Sequence, residues 1–387
     1  MISDLIVVGG GAAGFMGAIT AACNRFRSVL ILESTSKVLE KVRISGGGRC
    51  NLTNSCWEIS DLVNNYPRGE KQLKGLFHRF STAEAFDWFQ SRGLNLKIED
   101  DGRVFPVSDS SYDVIKCLKD IAEKSGVKVV TDSHVQQIRK TNEGFKVLVK
   151  GLNSFDSKNI LISTGGHPSG RNLAKRLGHS IVKPVPSLFS LTTSNKSLMS
   201  CSGITLNVQT KLTVSKKTFD ENGSILITHK GFSGPVILRL SAFSARHLHD
   251  NKYIGELKIN WICMPDKEVR SIIDLYKLEN GKKFIFNNKP FNQLPRSLWK
   301  ALITQENIDS QLKWCELSKF QKESLVKCLT TKSYPITSRG PFGEEFVTAG
   351  GVSLKEINFK TMESKICKGL FFAGEVLDID GVTGGFN

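Results

Sequence analysis

Three segments of this sequence predict an α/β fold built on a parallel sheet that binds a dinucleotide. The first is "LIVVGGGAAG", residues 5–14. Leu5 to Val8 is a short apolar, β-rich run of the kind buried in a parallel sheet. Gly9, Gly11 and Gly14 follow in G-x-G-x-x-G spacing, and a helical pattern opens through Ala12 and Ala13. Gly9 permits a tight turn, Gly11 lets backbone approach a pyrophosphate, and Gly14 lets helix and sheet pack closely. The helix start offers free N–H groups and a positive dipole end to phosphate. The second segment, "SVLILE", ends at Glu33, roughly 20 residues on, where a carboxylate accepts hydrogen bonds from ribose hydroxyls. It would repel a 2′-phosphate, which argues against NADP at this site. The third is a pair of strands breaking into glycine turns: "NILISTGG" (159–166) at Thr164-Gly165, and "KGLFFAGEVLDIDGVTGGFN" (368–387) at Gly374-Glu375.

That last segment selects the cofactor. An NAD dehydrogenase with an N-terminal fingerprint does not need its final strand to return to the first sheet. FAD enzymes of the two-dinucleotide-fold type do, and their Gly-Asp/Glu holds the ribityl-pyrophosphate. The expected cofactor is therefore FAD. No second G-x-G-x-x-G marks a separate NAD(P) domain.

Composition sets the bounds. A chain of 387 residues fits two or three domains, and 40% hydrophobic with 23% charged residues is ordinary for a globular protein. No apolar run of about 18 residues exists, so no membrane span is expected. The start "MISDLIVVGGG" lacks a signal-peptide pattern. Nine scattered cysteines without metal spacing read as reduced thiols in a cytoplasm. The 53 basic against 37 acidic residues give a net charge of +16, a surface that attracts polyanions such as nucleic acid. Lysine and asparagine are abundant throughout, so on charge alone compositional drift is the slightly better explanation.

"SGGGRCNLTN" (45–54) is a glycine loop followed by Arg49, Cys50, Asn51 and Asn54. A tight turn is its plain reading. Asn51-Leu52-Thr53 fits a glycosylation sequon only in a secreted chain. Cys50 and Cys56 do not form a Cys-x-x-Cys pair.

The chain divides as follows. Residues 1–188 alternate strand and helix patterns. "STAEAFDWFQSRG" is a helix with Ser81 as N-cap, Glu84 completing a capping box and Gly93 as stop. "SSYDVIKCLKDIAEKSG" is another, closed by Gly126. "VKVVTD", "FKVLVK" and "NILIS" read as a β-meander. "KPVPSLFSL" (183–191) crosses into an insert with strands over 189–264, helices over 265–330 and a return over 331–347. "GPFGEEFVTAGG" (340–351) leads back, and 348–387 completes the first domain.

"SGGGRCNLTN", "GRVFPVSDSSYDVIKCL", "THKGFSGPVIL", "VTAGGVSLKEINFKTMESK" and "GLFFAGEVLDIDGVTGGFN" together resemble the bacterial BaiN/RdsA-type FAD-dependent oxidoreductases, also known as the aminoacetone-oxidase family. The resemblance runs from residue 2 to 387, sharpest at both ends and diverged over roughly 189–335. It implies a Rossmann-like FAD-binding domain with an inserted β-barrel and helical subdomain. It places Gly46, Gly47 and Gly48 along the isoalloxazine ring, with Arg49 facing the pyrophosphate or substrate. The cofactor-binding set expected is Gly9, Gly11, Ala12, Ala13, Gly14, Glu33, Ser45, Gly46, Gly47, Gly48, Arg49, Asn51, Thr164, Gly165, Gly374, Glu375, Gly384, Gly385, Phe386 and Asn387. The family's chain continues past "TGGFN" into a helix whose positive end would face the flavin, so this chain reads as a truncated frame or fragment.

The flavin carries the hard chemistry, and the protein orients it. The resemblance implies reduction of a C=C bond conjugated to a carbonyl, with hydride from the flavin and a proton from an acid. NAD(P)H is the expected transient reductant. Family members include steroid-enone reductases and enzymes reducing a uridine in ribosomal RNA, and the charge favours ribosomal RNA as partner. A small enone reductase, an amine oxidase using oxygen and an RNA-associated flavin-binding protein are the rival readings. His229, in "THKGFSGP", is read either as general acid or as a structural turn residue. Cys50 is a weaker acid candidate beside its reading as a buried thiol. His247 and His249 read as solvated surface, so no metal is expected. Ser233 lies in G-x-S-G-P, which is not a nucleophile elbow.

Overall fold

The apolar run at the N-terminus is a central strand, Ser3–Val8, with parallel neighbours on both sides. The computed structural model describes residues 2–24, 26–151, 154–340 and 347–387. Val29–Leu32 pairs along one edge of the central strand and Phe155–Ile162 along the other. All four residues of Val29–Leu32 are buried, as expected for a strand covered on both faces. The helix Ala12–Asn24 buries Gly14, Phe15, Ala18 and Ile19. Its small residues let it lie close to the sheet. Leu370–Phe372 pairs parallel with Phe155–Ile162, so the final segment re-enters the first sheet as the expected fold class requires.

The sheet differs from the sequence reading in one respect. Lys128–Val130, within "VKVVTD", joins the parallel sheet beside Val29–Leu32. The meander is instead Val135–Thr141, Gly144–Val149 and Phe155–Ile162. "VQQIRKT" carries too few apolar residues to read as a strand, because only Val135 and Ile138 reach the core. The capped helix Thr82–Gln90 forms as read, with Ser81 and Glu84 in a reciprocal capping box. Ser111–Lys124 is the second helix read from the pattern.

The described chain separates into two compact units, Met1–Pro184 with Val347–Asn387, and Val185–Phe346. In the second unit six strands close a barrel, in the order Leu191–Thr193, Gly231–Ser233, Lys217–Thr228, Thr205–Val214, Gly255–Asn260 and Lys332–Arg339. Closure removes free edges. The helix Pro235–Asp250 buries Val236, Ile237, Leu240 and Leu248 in the same core. Helices Asp266–Asn280, Arg296–Gln305 and Lys319–Thr330 add Trp299 and other large side chains to it. Of the expected return "GPFGEEFVTAGG", residues 341–346 lie outside the described residues.

Candidate dinucleotide site

The first unit gathers three glycine turns around the start of Ala12–Asn24. Gly9 has φ +110°, and a Cβ there would lie 2.7 Å from the Ser163 carbonyl oxygen. A Cβ on Gly14 would lie 2.0 Å from the Gly9 carbonyl oxygen, so only glycine allows the helix to start over that turn. Among the described residues, no atom beyond its chain neighbours lies within 4 Å of the Cβ position of Gly11. Its open face leaves room for a ligand against the backbone. The Phe15 N–H donates to the Gly11 carbonyl at 3.0 Å, so the Ala12, Ala13 and Gly14 amides precede that bond. No acidic side chain occupies the first turn to compete with a phosphate.

Glu33 stands at the end of its strand with its carboxylate beside this loop. The Gly10 N–H donates to Oε2 at 2.8 Å, while Thr35 N–H donates to Oε1 at 2.9 Å. The Ser34 and Thr35 hydroxyls also donate to Oε1, each at 3.0 Å. These bonds fix the orientation of the carboxylate.

Ser163, Thr164 and Gly165 form the second turn. The Ser163 hydroxyl reaches the carbonyls of Val8 and Gly9, both at 3.2 Å. The Thr164 hydroxyl is buried without a hydrogen-bond partner among the described residues. A Cβ on Gly165 would face Glu375 Oε2 at 3.6 Å and Lys41 Nζ at 3.8 Å. In the third turn a Cβ on Gly374 would sit 3.0 Å from that of Ala13. Glu375 accepts from Lys41 Nζ at 3.2 Å and from the Asn387 side-chain amide at 3.1 Å. Lys41 was not read from the sequence. No spacing rule links it to a carboxylate over 300 positions away.

The 45–54 loop explains its own composition. Gly46, Gly47 and Gly48 have φ of +56°, +69° and +87°, and Cys50 has +58°. Such a run is open to glycine and costly for other residues. Among the described residues, no atom beyond its chain neighbours lies near the Cβ position of Gly47. The Ser45 hydroxyl donates to the Val42 carbonyl at 2.9 Å, and its carbonyl accepts from Cys50 N–H at 3.0 Å. The asparagines tie the loop to the C-terminal segment. Asn54 donates to the Gly384 carbonyl at 2.8 Å. Asn51 accepts from the Gly385 N–H at 2.9 Å and donates to the Thr53 carbonyl at 3.1 Å. The Tyr66 hydroxyl donates to the Phe386 carbonyl at 2.6 Å. Arg68 pairs with the fully buried Asp380 nearby.

Arg49 is held by protein groups in this structure. Its guanidinium pairs with Glu99, donates to Asp109 at 2.7 Å and lies 4.0 Å from the Phe105 ring centroid. These contacts engage Nε and Nη2 and tie the loop to Glu99, Phe105 and Asp109. Cys50 is 5% exposed in the core cluster with Phe15 and Val42, and burial pushes its thiol pKa up. That is the position of a packing residue. His229 lies in the second unit, exposed at the turn between Lys217–Thr228 and Gly231–Ser233. His247 and His249 occupy the last turn of Pro235–Asp250, where histidine suits the helix dipole. Among the described residues no cluster of His, Cys, Asp and Glu is suited to a metal. No described helix is long and apolar enough to cross a membrane.

A buried Ser-His-Glu array escaped the sequence reading. Ser364 Oγ lies 2.9 Å from His179 Nε2, and His179 Nδ1 lies 3.0 Å from Glu356. The Ile366 and Cys367 N–H groups donate to the Ser364 oxygen, which is therefore committed to holding a turn. Burial lowers the His179 pKa, so the ring is neutral and acts as a brace.

The donor set fits an FAD: helix-start amides without a hydrogen-bond partner among the described residues, an open Gly11 face, the Glu33 carboxylate beside the first glycine turn and a second carboxylate at the returning strand. Fold and site define a Rossmann-type dinucleotide-binding protein of the flavoprotein kind. The chain belongs to the family described as HI0933-like protein Rossmann domain, which matches residues 3–387. The resemblance carried by the sequence motifs is thereby borne out. The chain is 27% identical to the 3-dehydro-bile acid delta(4,6)-reductase of Clostridium scindens, over 98% of this chain and 94% of that protein. It is also 27% identical to the ribosomal RNA dihydrouridine synthase of Haemophilus influenzae, over 100% of this chain and 94% of that one. Among solved structures, the 3-ketosteroid-delta4-(5alpha)-dehydrogenase of Rhodococcus jostii RHA1 is similar with a TM-score of 0.51 at 14% identity, covering 100% and 92% of the two chains. That likeness shows the fold.

Proposed function

We propose that this chain is an FAD-dependent reductase of a C=C bond conjugated to a carbonyl, and that its substrate is a uridine in ribosomal RNA. The observation that carries this reading is the full-length similarity to proteins named for two such reductions, one on a bile acid and one on a uridine. Bound FAD would supply the electron pair as hydride. The chain's own residues do the rest. The Ala12, Ala13 and Gly14 amides would hold the pyrophosphate and Glu33 the adenosine ribose. Glu375, held by Lys41 and Asn387, would orient the ribityl side. Gly46 to Gly48 would let backbone meet the ring without a side chain between them.

Uracil has the required C5=C6 bond conjugated to the C4 carbonyl. Its reduction adds hydride at C6 and a proton at C5. His229 is our proton-donor proposal, and NAD(P)H our proposed reductant. A base must first leave its stack, at a cost of a few kcal/mol. The +16 charge favours RNA over a neutral enone. The test is to incubate the reduced protein with protein-free ribosomal RNA and map dihydrouridine at about 50 and 200 mM salt. We expect dihydrouridine that declines with salt. None at either salt, with rapid reduction of a steroid-like enone, would establish the small-molecule reading that the bile acid reductase favours.

A further inference from the structure

We propose that residues 282–300 of the second unit form the surface that docks the RNA backbone, an inference that rests on the reading of RNA as substrate. From Gly281 to Gln305 the sequence contains five cations and no Asp or Glu: Lys282, Lys283, Lys289, Arg296 and Lys300. The neighbouring ion pairs join Arg270 to Glu323, Lys322 to Asp274 and Lys332 to Glu306. None of the five has a carboxylate within salt-bridge distance among the described residues. Their own partners are neutral. Lys283 Nζ donates to the Asn280 side chain at 2.8 Å, and Lys289 Nζ to the Phe291 carbonyl at 3.0 Å. Lys300 Nζ lies 4.9 Å from the Phe286 ring centroid. Such contacts orient a cation without cancelling its charge.

The segment is also held rigid. The Trp299 indole N–H donates to the Ile285 carbonyl at 2.9 Å, and the Trp314 indole N–H to the Asn288 carbonyl at 3.0 Å. Both indoles are buried, so the loop carrying Lys282, Lys283 and Lys289 is pinned before a partner arrives. A preorganised loop loses less entropy on binding. Phe284 is 37% exposed, offering a face on which a base can stack. Asn287, Asn292 and Gln293 are exposed donors and acceptors for base edges. Of the segment's large apolar residues, Ile285, Phe291, Leu294, Leu298 and Trp299 are buried, Phe286 is half-buried and Phe284 is exposed. A membrane-binding loop would instead present most of them for insertion. The chemistry therefore favours a phosphate backbone with unstacked bases.

The test is filter binding of a protein-free ribosomal RNA fragment to the FAD-loaded chain across a salt series. Lys282→Gln, Lys283→Gln and Lys289→Gln are combined in one variant. Lys124→Gln, Lys128→Gln and Lys146→Gln, exposed in the first unit, make a control of equal charge change. We expect the first triple to lose about tenfold or more in affinity and to flatten the log–log salt slope by about two, at about 0.7 per phosphate contact. The control should stay within about twofold, and both should keep bound FAD and the parent's Tm. Equal losses in the two triples, or no loss, would overturn the proposal. So would binding of phosphatidylserine vesicles, rather than RNA, through these lysines. RNA binding lost in the first triple, with no dihydrouridine from the parent, sustains the surface and removes the uridine reading. Dihydrouridine formation with unchanged binding in that triple removes the surface alone.

Discussion

Replacing Gly47 by alanine separates folding stability from cofactor contact in the 45–54 loop. Gly47 has φ +69°, and among the described residues no atom beyond its chain neighbours lies within 4 Å of its Cβ position. In the folded protein the added methyl meets only the cost of left-handed backbone, about 1–2 kcal/mol. Gly385 is the comparison. It has φ +93°, and its Cβ would lie 2.2 Å from the Thr53 carbonyl oxygen and 2.8 Å from the Asn51 side-chain amide. Overpacking adds about 1–3 kcal/mol to the backbone cost, so Gly385→Ala should lose about 2–5 kcal/mol. For a unit of this size each kcal/mol is roughly 2–4 °C in Tm. Thermal unfolding of the FAD-free variants and FAD titration by fluorescence give the two readouts. On the proposed placement of the ring against its open face, Gly47→Ala should unfold only slightly early yet bind FAD more than about tenfold more weakly, a loss of about 1.4 kcal/mol. Equal destabilisation by the two substitutions, or unchanged FAD affinity in Gly47→Ala, would refute the reasoning.

Glu33→Ala should weaken FAD by about 1.5–3 kcal/mol, the scale of a hydrogen bond to a charged group, read by equilibrium titration; unchanged affinity removes Glu33 from the site. His179 should make the fold acid-sensitive. Burial holds its pKa below the ordinary value, against an opposing pull from Glu356, so below about pH 6.5 the unfolded chain binds more protons than the folded one. Stability is then full above that pH and falls as pH drops, until folded His179 itself protonates. His179→Gln should narrow the Tm difference between pH 7.5 and 5.5, and an unchanged difference would assign the acid loss elsewhere. His229→Gln should lower dihydrouridine formation without changing Tm, and full activity would make it a turn residue.

The sheet and its glycine turns were legible because their signals are local. A strand, three glycines and an acid lie within residues 3–33, and the returning strand carries its own Gly374-Glu375. The capping box at Ser81 and Glu84 is equally local. What escaped depends on chain closure. Asn51 meets Gly385, and Lys41 meets Glu375, across separations that no periodicity reports. The partners of Arg49 escaped as well: Phe105, Glu99 and Asp109 come near it only once the sheet of Thr53–Asn54, Arg103–Pro106 and Leu96–Ile98 has formed. The strand Val135–Thr141 was missed because its partners, rather than its own sequence, stabilise it.

The central claim is that the three glycine turns, Glu33 and Glu375 form an FAD site. The most direct measurement incubates the purified chain with an equimolar mixture of FAD, FMN and NAD, removes free ligand, and identifies what is released on denaturation by mass spectrometry. The account predicts FAD, near one per chain, and its loss in Glu33→Ala. Release of FMN or NAD in its place, or retention of none of the three by a folded chain, would contradict it.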